Sequence, residues 1–243
     1  LNFSINGALL IYIKIGNIIL RQLNRVMNMV TDNITDRHVK ELLKRHPELQ
    51  EAAENLLKVY FILKICFFNQ KNLFVCGNGG SAADSEHIVG ELMKGFKNPR
   101  KIPQNIKDIF RQKLGSDELA DKLQMGLPCI SLLSHSALSS AYINDVDPFM
   151  VYAQQLFVLG KEGDAVLGLS TSGNAGNILN TFKVARARGI TTILMTGQNH
   201  GKCEEYADYI IRAPAKETYL VQEHHLPLYH CLCAMLEETF YGK

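Results

Sequence analysis

The sequence predicts an α/β protein built on a mostly parallel sheet buried on both faces, and two observations carry that prediction. Short apolar runs without polar alternation recur along the chain, as in Leu73-Phe74-Val75-Cys76 and Ala165 to Leu169. Each run is followed by a turn and a helix-compatible stretch. Strands that lack alternation are covered on both sides, and interleaved helices supply the cover.

The elements follow in order. From Thr35 the pattern is helical: Leu49, Ala52, Ala53, Leu56, Leu57, Tyr60 and Phe61 recur at three- and four-residue steps and form one apolar stripe. Pro47 divides this region into helices over roughly 35–45 and 47–67, since proline suits a first turn but not a helix interior. Strands are expected at 73–76, 128–133, 165–169, 191–196 and 209–213. The helices between them carry Ile88, Val89, Leu92 and Met93, then span Ser134 to Asn144, and then run from Asn174 to about Arg188, where Gly189 closes the last of these. A final helix covers about Thr218 to Phe240, with Pro227 expected to bend it. The sum is a three-layer αβα sandwich on five strands, preceded by an N-terminal helical segment. Residues 95–126 interrupt the rhythm and read as an insertion with short helices at 106–114 and 117–123.

Residues 1–34 stand apart as a leader. Ala8 to Leu20 is apolar but is broken by Lys14, Gly16 and Asn17, short of the ~20 residues that a spanning helix needs. It has neither a basic stretch ahead of it nor a small-residue cleavage site, as a signal peptide would. Residues 1–26 are therefore read as a translated upstream segment, with Met27 or Met29 the natural start; a membrane-contacting amphipathic leader is the alternative.

Composition narrows the partners. The 243 residues are 47% hydrophobic, enough for a full core, and the formal charge of +2 lacks the basic excess expected of a nucleic-acid or membrane-surface binder. Six cysteines with no CxxC pair argue against a disulfide framework and for a reducing, cytoplasmic location.

Two loops sit where strands open into helices: Gly77-Asn78-Gly79-Gly80-Ser81 and Ser170-Thr171-Ser172-Gly173-Asn174. Unpaired N–H groups at a helix start, with hydroxyls alongside, suit a phosphate. Neither loop carries the lysine of a P-loop. Residues 77–82 fit a relaxed dinucleotide fingerprint, but Leu133-Ser134-His135 stands where that motif needs an acidic residue. A second constellation pairs His87 with Glu91, four apart on one helical face, and sets them against Gln222, His225 and His230 on the last helix. Imidazoles with a carboxylate are the ligand types of a zinc-like ion, the Gln222 amide being a weaker donor. By pattern alone these histidines could equally be exposed or satisfied in the core.

Three segments, Cys76 to Ser81, Gly168 to Asn174 and Ile193 to Gly197, resemble the sugar isomerase (SIS) domain. Within that family, His87 with Glu91, Asn144-Asp145, and Gln222 with His230 resemble the phosphoheptose isomerase pattern, over roughly residues 36–240. The resemblance implies a flavodoxin-like fold and a homotetramer with sites at subunit interfaces. It implies interconversion of sedoheptulose 7-phosphate and D-glycero-D-manno-heptose 7-phosphate. It implies one zinc per site, held by His87, Glu91, Gln222 and His230. The implied substrate contacts are Asn78, Gly79, Gly80, Ser81, Glu91, Asn144, Asp145, Ser170, Thr171, Ser172 and Gln222, and the implied acid/base pair is Glu91 and His230. Ala175 departs from the family's usual serine. A non-catalytic SIS adaptor of the replication-initiation type, or a phosphosugar sensor, is the alternative, and neither calls for the metal set.

Overall fold

The computed structural model describes residues 33–242; the expectations for residues 1–26 lie outside them. Helices α1 (Asn33–Arg45) and α2 (Gln50–Phe68) lead into strand β1 (Leu73–Gly77) and helix α3 (Gly80–Met93). The insertion contributes α4 (Gln104–Leu114) and the short α5 (Glu118–Asp121). Then come β2 (Cys129–Ser131), α6 (Ser136–Asp145), α7 (Val151–Leu159), β3 (Ala165–Leu169), α8 (Gly176–Ala187), β4 (Thr191–Thr196), β5 (Tyr209–Arg212) and α9 (Thr218–Tyr241).

The five strands are all parallel, in the order β2-β1-β3-β4-β5. Alternate residues of each strand serve opposite faces. Leu73 and Val75 join Leu167, Leu169, Ile193 and Met195 under α2, α3 and α9. Phe74 and Cys76 join Val166 and Leu194 under α7 and α8. A side chain at Gly168 would begin 2.7 Å from Ile178, so glycine lets α8 close on the sheet. This is the three-layer sandwich that the sequence predicts.

Helix α7 is not among the expected elements. Val151, Tyr152, Ala153, Gln155 and Leu156 are all buried, so the segment lacks the polar stripe that would mark a surface helix. The second strand is shorter than the apolar run that predicts it. Pro227 lies inside α9, which nonetheless continues unbroken for 24 residues. All six cysteines are free and buried, and burial pushes the Cys66 thiol up to about 12, making it a poor nucleophile. Among the described residues, no helix is long and apolar enough to cross a membrane.

Candidate active site

Strand order reverses between β1 and β3, whose following helices pack on opposite faces of the sheet. Ligands of open parallel sheets bind in the crevice that such a reversal opens at the strands' carboxyl ends. Both glycine-serine loops flank this crevice.

The two loops are tied together. The Asn78 and Asn177 amides exchange a pair of hydrogen bonds, 2.9 and 2.8 Å long. The buried Tyr152 hydroxyl donates to the Gly77 carbonyl at 2.7 Å. Asn177 and Tyr152 escape a reading of the sequence, because only the fold sets them opposite Asn78. In the first loop, Gly79 has φ +56°, a conformation that disfavours side chains. A Cβ at Gly80 would lie 2.7 Å from the Gln222 amide, so glycine there admits Gln222, which donates to Ser81 Oγ at 3.4 Å.

In the second loop, Gly173 donates its N–H to the Ser170 carbonyl and has φ +66°. The Asn174 side chain accepts from the Lys202 N–H at 3.0 Å, and the Thr171 carbonyl accepts from the Gly197 N–H at 3.0 Å. Ser170 is buried and Ser172 exposed. Ala175 takes the N-cap position of α8 and offers no side-chain acceptor there. Asn144 and Asp145 lie exposed at the end of α6 and bond to each other at 2.8 Å.

Helices α3 and α9 run side by side in the same direction. Three rungs set their register: Gln222 on Ser81, Tyr229 and His230 on Asp84 and His87, and Glu237 through Arg100 on the Leu92 carbonyl. At the middle rung His87 Nε2 lies 3.1 Å from Glu91 Oε1 and 3.4 Å from His230 Nε2. One ligand atom from each of these three residues falls within 4.8 Å of the others.

The cluster fits a divalent cation. Glu91 Oε2 is buried without a hydrogen-bond partner, and two imidazole nitrogens face each other. Burial first, and the neighbouring His87 charge second, lower the His230 pKa and favour the neutral ring a metal requires. Of the expected ligand set, His87, Glu91 and His230 converge; Gln222 is engaged by Ser81 instead.

His225, the remaining histidine of the pattern, is a core residue. It is fully buried, with Nε2 3.3 Å from the Thr196 carbonyl and its pKa pushed by burial down to about 4. The folded protein thus refuses a proton that the unfolded chain accepts. This contribution is fully present above pH 6.5 and is lost as pH falls toward about 4. It amounts to about 3 kcal/mol at completion. Denaturant unfolding at pH 7 and pH 4.5 is expected to show a smaller acid-induced loss in His225→Leu than in wild type; equal losses would refute the assignment.

The SIS domain family model matches residues 151–235. A phosphoheptose isomerase of a Nitratiruptor species is 33% identical over 205 residues, spanning 83% of this chain and 97% of its own length. That of Clostridium acetobutylicum is 29% identical over 214 residues, spanning 87% and 97%. The solved phosphoheptose isomerase GmhA of Neisseria gonorrhoeae superposes with a TM-score of 0.63 at 25% identity, over 84% of this chain and 98% of its own. The Francisella tularensis phosphoheptose isomerase shares the fold, with a TM-score of 0.64 at 23% identity over 90% and 98%.

Proposed function

Because the chain belongs to the phosphoheptose isomerase family, we propose that it interconverts sedoheptulose 7-phosphate and D-glycero-D-manno-heptose 7-phosphate through an enediol(ate). The observation that carries this reading is the His87–Glu91–His230 cluster, borne on α3 and α9 beside a crevice flanked by two phosphate-type loops. A non-catalytic adaptor needs no such cluster.

The substrate phosphate is held by the Ser170, Thr171 and Ser172 hydroxyls and by N–H groups at the start of α8, where the helix dipole favours negative charge. Asn78, Gly79, Gly80 and Ser81 contact the sugar, with Asn144, Asp145 and Gln222. Glu91 takes the proton from the carbon next to the carbonyl and returns it to the neighbouring carbon. His230 moves the hydroxyl proton from one of the two adjacent oxygens to the other, so that the hydroxyl and the carbonyl trade places. His87, Glu91 and His230, with Gln222 as the fourth family position, would hold zinc, which would supply polarisation of the substrate oxygens when bound.

The assembly in this reading is a cytoplasmic homotetramer with sites at subunit interfaces. In support, α6 buries none of its residues within the chain and exposes Leu138 and Ile143 on the element that ends in Asn144 and Asp145. Residues 35–243 form the SIS domain, with 95–126 as its insertion. Purified full-length protein is expected to convert sedoheptulose 7-phosphate and to carry zinc in the same sample. A folded protein with neither turnover nor metal would overturn the reading.

A further inference from the structure

Tyr229 precedes His230 on α9 and is completely buried. Its hydroxyl lies 3.1 Å from Asp84 Oδ1 and 3.0 Å from His87 Nδ1. Asp84 stands one helical turn before His87 on α3, so a single phenol reaches both. Its ring also lies edge-on to both imidazoles, 5.5 Å from His87 and 5.0 Å from His230 between centroids.

We propose that Asp84, Tyr229 and His87 form a hydrogen-bond relay that presents His87 Nε2 to the metal, making Tyr229 a positioning residue for the ion. This rests on the metal reading above. A carboxylate has no proton to give, so the phenol donates to Asp84. The phenol oxygen then accepts from His87 Nδ1–H. An imidazole protonated at Nδ1 carries its lone pair on Nε2, and Nε2 is the nitrogen that faces Glu91 and His230. Metal-binding histidines commonly gain orientation and basicity from a carboxylate on their other nitrogen. Here a tyrosine stands between the two. Phenylalanine would fill the same space yet leave Nδ1 without its acceptor and the ring free to choose either tautomer.

The test uses metal-stripped full-length wild type, Tyr229→Phe, Asp84→Asn and the double variant. Zinc affinity is measured by competition with a chromophoric chelator, and melting of the metal-free proteins is followed in parallel. Tyr229→Phe is expected to weaken zinc about 10- to 100-fold, the usual effect of losing such an outer contact, with little change in the metal-free melting temperature. Asp84→Asn weakens it in the same direction. The double variant is expected to lose little more than the worse single one, because both changes cut one chain of bonds. Affinity within twofold of wild type in both single variants, or losses that simply multiply in the double, overturns the relay. Wild type that binds no zinc overturns the metal reading and the relay together, whereas zinc-binding wild type matched by Tyr229→Phe overturns the relay alone.

Discussion

Replacing Glu91 by glutamine is expected to lower kcat by about 10²- to 10⁴-fold, the range that a positioned general base supplies. The substitution preserves size and leaves an oxygen able to ligate, but an amide cannot accept and return a carbon-bound proton. Two features make Glu91 the focus. Its Oε1 lies 3.1 Å from His87 Nε2, while its Oε2 is buried without a hydrogen-bond partner and has only the Lys94 ammonium, 4.0 Å away, beside it. A buried carboxylate oxygen without a partner is costly, so the site retains it for a bound group. The informative measurement is exchange of the substrate's transferred proton with deuterated solvent, alongside turnover. Both should collapse together in Glu91→Gln while the protein stays folded. Unchanged exchange and turnover would remove Glu91 from the proton-transfer role.

The second large effect is structural. Arg100→Ala is expected to destabilise the fold by about 3–5 kcal/mol, because it strands a buried carboxylate. For a chain of this size the melting temperature should fall by on the order of 10 °C. Arg100 and Glu237 are both fully enclosed side chains, paired at 2.9 Å. The guanidinium also donates to the Leu92 carbonyl and, at 2.9 Å, to that of Glu91. Glu237 in turn accepts the backbone N–H groups of Phe96, Lys97 and Asn98 at 2.7, 2.8 and 3.1 Å. Burial pushes the Glu237 pKa up, but those N–H groups and Arg100 outweigh it and hold the carboxyl below its ordinary value. The pair therefore locks the entry to the insertion onto α9 and fixes the end of the helix that carries Glu91. Replacing both partners with apolar residues should not restore full stability, since the N–H groups of residues 96–98 would lose their acceptor. Thermal unfolding of Arg100→Ala within a degree or two of wild type would show that the pair is dispensable.

Much of this is legible in the sequence. Apolar runs such as Val75-Cys76 and Leu167-Leu169 reveal buried strands because both faces of a parallel strand must be covered. Gly79 and Gly173 mark the loops because each adopts positive φ in a tight strand-to-helix turn. The His87–Glu91 pair is visible because a four-residue step is a local helical relationship.

Contact between distant segments lies beyond the sequence. Nothing in spacing separates His225 from His230. Yet the first is buried under β4 at the Thr196 carbonyl and the second faces His87, 143 residues away. The same holds for Asn177 on Asn78, for Tyr229 between Asp84 and His87, and for the Arg100–Glu237 lock. Helix α7 is hidden because its exposed residues, Phe157, Val158 and Leu159, are as apolar as its buried ones, so no polar stripe betrays its period. The α/β class, the two loops and the first half of the histidine–carboxylate set follow from the chain's own order of residues, since local periodicity and turn chemistry encode all three. Residue spacing alone leaves open which histidine completes the set, and only the family resemblance points to His230; what brings it to His87 and orients it emerges on folding, because sheet order and the parallel register of α3 and α9 create those proximities.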